Sequence, residues 1–368
     1  MKILVNFGTR PEAIKMAPLV HHLRKDLDVR VCVTGQHRQM LDQVLKLFQI
    51  IPNYDLNLMK PDQNLASLTG EVLNGVTQIL KNEKFDWVLV QGDTTSTMAG
   101  AMAAFFQKVP VGHIEAGLRT NNLESPFPEE INRQLTSKMT RLHFAPTIGN
   151  KQNLLKEGFS EKTIAITGNT VIDALFWILQ HTKSLRFPLP FDFREVRIIL
   201  VTGHRRESFG EGFQRICEAL RMIAKQKPDV QIVYPVHLNP NVRETVYSML
   251  SSLQNLHLLE PLEYSQFVHL MNLSKIILTD SGGVQEEAPS LGKPVLLMRD
   301  TTERPEAIEA GTVKLVGTNT KTIVNETMHL LDNPNAYDKM AFAHNPYGDG
   351  TACEKILKTL FTFEKTNI

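Results

Sequence analysis

The chain has 368 residues, too many for one ordinary core and about right for two domains. Apolar residues make up 42% and charged residues 21%, the balance of a globular protein, and the formal net charge of +1 leaves no broad basic field for a nucleic-acid partner. Three cysteines, Cys32, Cys217 and Cys353, lie far apart, form no metal-ligand spacing and leave an odd thiol, so a reducing cytoplasm is expected.

The N-terminus, Met1 to Asn6, runs straight into a short apolar strand, without a signal-peptide core. No 18-residue apolar run follows, so no membrane partner is expected. Short apolar runs then alternate with helical stretches. Ile3–Asn6, Val29–Thr34, Trp87–Gln91, Val109–Glu115, Leu142–Ala145 and Thr163–Thr167 read as strands. Between them Ala13, Met16, Ala17, Val20 and Leu23 share one helical face. The segment 181–195 carries Pro188 and Pro190 without a clear period and reads as a linker. Alternation restarts with Val196–Thr202, Val230–Pro235, Leu256–Leu259, Lys275–Thr279, Pro294–Met298 and Val313–Val316. The pattern predicts an α/β chain of two doubly wound parallel sheets, with ligands beyond the carboxyl ends of the strands, in a cleft between the domains. A last helix near Thr351–Phe363 suits either domain on these grounds.

The loops after the strands carry the chemistry. Gly8-Thr9-Arg10-Pro11-Glu12 follows the first strand, and Pro11 suits the first turn of a helix. Arg10 and Lys15 are either two cations for a diphosphate at that helix N-terminus or solvated surface charges. Neither the dinucleotide glycine fingerprint nor the nucleoside-triphosphate loop is present. Asp93, in Gly92-Asp93-Thr94-Thr95, is a helix cap or a catalytic acid. Glu115 ends the next strand among apolar and small residues. Glu129 and Arg133 share a helical face, as a surface ion pair or as site residues. Carboxylates sharing a cleft push their pKa values apart, which equips a site to remove a proton from one face of a carbon and return one to the other.

In the second half, Gly203-His204-Arg205-Arg206-Glu207 and Pro235-Val236-His237 follow strands. Asp280-Ser281-Gly282-Gly283-Val284-Gln285-Glu286-Glu287 joins a buried strand to a helix, either as a plain turn or as a nucleotide site. In the second case amides at the glycines face phosphate and an acid one turn on holds ribose. Arg304-Pro305-Glu306-Ala307 repeats the Arg-Pro-Glu-Ala of residues 10–13, by coincidence or as a second phosphate-facing loop. No metal-ligand spacing and no nucleophile elbow occurs, so no metal is expected.

Taken in order, these motifs resemble the non-hydrolysing UDP-N-acetylglucosamine 2-epimerases of bacteria. The resemblance runs from Phe7-Gly8-Thr9-Arg10-Pro11-Glu12-Ala13 to Asn345-Pro346-Tyr347-Gly348-Asp349-Gly350. It implies two Rossmann-like domains of the GT-B glycosyltransferase type: residues 1–170, completed by the helix 352–368 and carrying the catalytic carboxylates, and residues 171–351, binding UDP. It also implies a homodimer, no cofactor, and reversible inversion of C2 in UDP-GlcNAc to give UDP-ManNAc for bacterial surface polysaccharide. The implied route eliminates UDP to a 2-acetamidoglucal and adds it back.

By the same resemblance Asp93, Glu115, Glu129, Arg133 and His204 are catalytic. Arg10, Lys15, Phe267, Ser281, Gly282, Gly283, Glu287 and Arg304 bind the UDP-sugar. Gln36, Gln39, Arg205 and His237 match the site of a second UDP-GlcNAc that acts as activator. Asp62 departs from the arginine found near there in some relatives. The rival readings are a hydrolysing epimerase, a glycosyltransferase on the same fold, a sugar-nucleotide sensor without chemistry, and an NAD dehydrogenase. Of these, the sensor has no need of three grouped carboxylates and the dehydrogenase lacks its glycine fingerprint.

Overall fold

The computed structural model describes residues 1–35, 38–60, 63–182, 189, 191–193, 196–205 and 209–367. It divides into two compact units. The first is Met1–Trp177 with Tyr347–Ile368, and the second is Ile178–Pro346.

The first unit is built on seven parallel strands. They are β1 (Lys2–Phe7), β2 (Asp28–Val33), β3 (Tyr54–Asp55), β4 (Trp87–Gln91), β5 (Val111–Ile114), β6 (Leu142–Ala145) and β7 (Ile164–Ile166), in the spatial order β3-β2-β1-β4-β5-β6-β7. The strands are apolar runs because helices cover both faces, so alternate residues have no solvent side to prefer. Ile3, Leu4 and Val5 are all fully buried, as are Val88, Leu89 and Val90. Strand order reverses between β1 and β4, which pair through Ile3–Trp87, Leu4–Val88 and Val5–Leu89. Loops leaving the carboxyl ends on either side of such a reversal diverge and leave a crevice.

The final helix, Ala352–Asn367, belongs to the first unit. Asp173 accepts hydrogen bonds from the amides of Ala352 and Cys353 at 3.2 and 2.9 Å, which occupies two donors of the helix's first turn. At the other end Trp87 Nε1 donates to Glu364 Oε1 at 2.7 Å.

The second unit repeats the plan with six parallel strands. They are β8 (Arg197–Thr202), β9 (Val230–Pro235), β10 (Leu256–Leu259), β11 (Ile276–Thr279), β12 (Val295–Leu297) and β13 (Val313–Leu315), in the order β10-β9-β8-β11-β12-β13. Here the reversal lies between β8 and β11. Both sheets are therefore doubly wound, as the alternation of apolar runs predicts. Among the described residues only β3, two residues long and without an apolar run, escapes that pattern. Much of the segment read as a linker lies outside the described residues.

All three cysteines are buried and none forms a disulfide. Among the described residues, no helix is long and apolar enough to cross a membrane, and no group of three or more His, Cys, Asp or Glu side chains is placed to hold a metal ion.

Candidate active site

Each reversal point is bridged by a buried carboxylate. In the first unit this is Glu12, in the first turn of the helix Arg10–Leu23 that follows β1. Its Oε2 accepts from the amides of Gly8 and Thr9 at 2.9 and 2.7 Å. Its Oε1 lies 2.6 and 2.7 Å from the hydroxyls of Thr94 and Thr97, in the loop and helix after β4. These groups replace the water that a carboxylate loses on burial, and they tie the Arg10 loop to the Asp93 loop.

The cap of the helix Thr95–Phe106 is Thr94, whose hydroxyl accepts from the Thr97 amide at 3.1 Å. Asp93 is thereby left for other contacts. Its backbone carbonyl accepts from Asn132 Nδ2 at 3.0 Å, and its Oδ2 accepts from Arg133 Nη2 at 2.5 Å. Both partners lie on the helix Glu129–Met139, so this helix is pinned to the Asp93 loop. The Asp93 side chain keeps 26% of its surface open. Burial pushes its pKa up; Arg133 pulls it back, the Glu115 carboxylate adds to the rise, and the net direction is upward.

Glu115 follows β5 with φ at 63°, the left-handed region that costs a non-glycine residue on the order of 1 kcal/mol or more. Its contacts hold it there. Lys15 Nζ lies 2.6 and 2.8 Å from its two oxygens, Asn169 Nδ2 donates to Oε1 at 2.9 Å, and Gln91 Nε2 donates to Oε2. Lys15 is thus engaged with Glu115, and a phosphate would have to share it. Two residues earlier, His113 is fully buried and bonds the Gly92 carbonyl through Nε2 at 2.7 Å. A carbonyl only accepts, so His113 carries its proton on Nε2. Burial drives its pKa down to about 3, leaving a neutral strut beneath the Asp93 loop.

Glu129 opens the helix that carries Arg133. Its Oε2 is buried and has no hydrogen-bond partner among the described residues. Arg133 pairs with Asp93 and with Glu130 at 3.0 Å. The pair read from the four-residue spacing of Glu129 and Arg133 gives way to a three-residue one, Glu130 to Arg133. Arg10 is the first residue of its helix and is partly buried.

In the second unit Asp280 is the bridging carboxylate, at the end of β11. Its Oδ2 accepts from the amides of His204 and Arg205, after β8, at 2.7 and 2.8 Å. His204 Nδ1 lies 3.2 Å from Asp280 Oδ1, and its ring stacks on His237 with centroids 5.4 Å apart. Burial would raise the Asp280 pKa, but His204 and the two amides outweigh it and the net shift is downward. Burial and the neighbouring His204 lower the pKa of His237.

The Ser281 amide donates to Thr279 Oγ1 at 3.0 Å. Gly282 and Gly283 then open the helix Gly282–Glu287, where amides have no intrahelical acceptor. A Cβ on Gly282 would sit 2.5 Å from Arg304 Nη1 and 2.9 Å from its Cζ, so the glycine admits the guanidinium. Arg304 is held by Glu286 at 2.5 Å and Glu303 at 2.9 Å. Glu287 Oε1 accepts from the Tyr264 hydroxyl at 2.6 Å. Phe267 is partly buried and lies three residues along the same helix, Tyr264–Leu273, on a shared face.

Of the residues assigned to the activator, Gln39 is exposed in the first unit, and His237 is exposed in the second. Arg205 lies 3.8 Å from Glu303. Gln36, Asp62, Arg206 and Glu207 lie outside the described residues.

Sequence reasoning did not single out Glu12, Asn132, Glu130, Tyr264 or Asp280. Thr9-x-x-Glu12 is a readable capping spacing, and Glu130-x-x-Arg133 a readable ion-pair spacing. Nothing local marks Asp280, whose partners lie about 75 residues earlier in the chain.

The chain is similar to known proteins over nearly its whole length. The family model described as UDP-N-acetylglucosamine 2-epimerase matches residues 21–361. The UDP-N-acetylglucosamine 2-epimerase of Escherichia coli strain K12 is 59% identical over 369 residues, covering 98% of each chain. The crystal structure of the UDP-GlcNAc 2-epimerase from Neisseria meningitidis bound to UDP-GlcNAc is 53% identical with a TM-score of 0.88, covering 98% of this chain and 100% of that one. The Methanocaldococcus jannaschii enzyme in complex with UDP-GlcNAc and UDP is 34% identical with a TM-score of 0.78, again covering 98% and 100%.

Proposed function

The chain belongs to the UDP-N-acetylglucosamine 2-epimerase family, and we propose that it interconverts UDP-GlcNAc and UDP-ManNAc by eliminating UDP and adding it back. One observation supports this chemistry above the others. Asp93 and Glu115 end adjoining strands of one sheet, each carboxylate held by its own cation, Arg133 and Lys15.

In the elimination, a carboxylate takes the C2 proton, the C1–oxygen bond breaks, and the electron pair leaves with UDP. The ring becomes a 2-acetamidoglucal. In the return step an acid delivers a proton to the opposite face of C2, and a UDP oxygen re-forms the bond to C1. Asp93, Glu115 and Glu129 supply the acid and base groups. The raised pKa of Asp93 suits a group that must hold a proton in one half-reaction and release it in the other. In the second unit the Ser281-Gly282-Gly283 turn holds the diphosphate and Glu287 the ribose, with Phe267 and Arg304 as further contacts to the nucleotide. Arg10 and His204 stabilise charge on the departing UDP.

The reading includes a second UDP-GlcNAc as activator at Gln36, Gln39, Arg205 and His237, and a homodimer. Phe105 and Phe106, 56% and 59% exposed at the end of one helix, support a partner on the first unit. Three unpaired thiols suit work in the cytoplasm, supplying ManNAc units for surface polysaccharide.

The test is incubation with UDP-GlcNAc alone, without acceptor or NAD. UDP-ManNAc accumulating to equilibrium, with no stoichiometric free UDP, is expected. Free UDP and ManNAc in equal amounts would make the enzyme a hydrolysing epimerase, and product only on adding an acceptor would make it a transferase.

A further inference from the structure

The geometry points to Glu130 as a positioning residue for Asp93, acting through Arg133. The inference rests on the proposed role of Asp93 in proton transfer.

Glu130 is fully buried, next in sequence to the partly buried Glu129. It gathers five donors. Oε2 accepts from the Thr120 amide, the Thr120 hydroxyl and Arg133 Nη1, each at 3.0 Å. Oε1 accepts from the Asn121 amide at 3.1 Å and from Gln134 Nε2 at 2.9 Å. One carboxylate therefore fixes the loop after β5 and one edge of the Arg133 guanidinium. The other edge, through Nη2, faces Asp93. A rigid, planar cation gripped at one edge has its second edge aimed.

The arrangement does more than aim. Arg133 is only 6% exposed and faces two anions, so its charge is divided between them rather than screened by water. Burial alone would push the Glu130 pKa up. The Thr120 amide, Gln134 and Arg133 reverse that, and the net shift is downward, so Glu130 stays ionised. With Glu130 charged, Arg133 pulls less strongly on the Asp93 proton. Among the described residues, Glu115 also acts on Asp93, favouring its protonated form, and Lys15 opposes it. His113, beneath the loop, is neutral. Glu130 and Asp93 hold the two terminal nitrogens of one guanidinium, so a change at Glu130 reaches Asp93 by way of Arg133.

The experiment compares wild type, Glu130→Asp and Glu130→Gln by carbon NMR of aspartate-carboxyl-labelled protein, with Asp93→Asn identifying the signal. Gln keeps an acceptor oxygen and removes the charge. Asp keeps the charge and draws it back by one methylene, and it provides the reading if the Gln variant does not fold. The Asp93 midpoint is expected to move to lower pH in Glu130→Asp and further in Glu130→Gln. The acid limb of kcat/KM should move with it. Midpoints unchanged from wild type, or moved upward, in folded variants would overturn the inference, even where turnover falls. The NMR titration does not need turnover: a wild-type protein that fails to epimerise defeats the functional reading while the midpoints still decide the role of Glu130.

Discussion

The ammonium of Lys15 lies 2.6 and 2.8 Å from the two carboxylate oxygens of Glu115, 100 residues further along the chain. The pair joins the helix after β1 to the end of β5 and holds Glu115 in a left-handed backbone conformation. Both side chains are largely buried, at 17% and 12% exposed, so water does little to replace a lost partner.

Lys15→Met strands the Glu115 charge and should cost about 3 kcal/mol of stability. The double variant Lys15→Met with Glu115→Gln should recover much of that loss, because no unpaired charge remains. Urea unfolding of the three proteins checks both statements. Equal stability for wild type and Lys15→Met would mean that Glu115 is held without Lys15.

Asp93→Asn keeps the shape of the side chain and removes its ability to take a proton. Turnover of UDP-GlcNAc should fall by roughly 10²–10⁴-fold, with UDP affinity nearly unchanged, because UDP is assigned to the second unit. Steady-state kinetics and calorimetric titration with UDP measure the two quantities. Near-normal turnover in a folded variant removes Asp93 from the proton transfers.

His113 gives the fold a pH dependence with a definite sign. In the unfolded chain it takes a proton near the ordinary value of 6.5, whereas in the folded protein burial delays this to about 3. Below 6.5 the unfolded state therefore binds more protons, and stability falls as pH drops from 6.5 toward 3. One such group contributes a slope of up to about 1.4 kcal/mol per pH unit. In His113→Gln this part of the slope should vanish while the bond to the Gly92 carbonyl persists. Urea midpoints measured between pH 7 and pH 4 give the two slopes. Equal slopes would assign the acid sensitivity elsewhere, with His143, whose pKa burial also lowers, the next group to test.

The strands were legible because a buried parallel strand is a run of apolar residues, and twelve of the thirteen among the described residues have one. β3 has none: Tyr54 and Asp55 stand opposite Cys32 and Val33 in register without an apolar run of their own. Glu115 was legible for a similar reason, since it interrupts apolar and small residues, whereas Asp93, among the polar residues Gln91 to Thr95, read equally as a helix cap. The contacts that position them were not. Lys15 with Glu115, Asp93 with Arg133 and Asp280 with His204 join residues brought together only by the winding of the sheets. Glu130 was passed over beside Glu129, because adjacent acids at a helix start look alike until their donors are known.

The central claim is that the C2 hydrogen leaves the sugar and another arrives from the opposite face. A proton NMR time course of UDP-GlcNAc with the enzyme in D₂O reads this directly. UDP-ManNAc should form with deuterium at C2, without accumulation of free UDP in step with product. UDP-ManNAc that retains its original hydrogen at C2 would contradict the account.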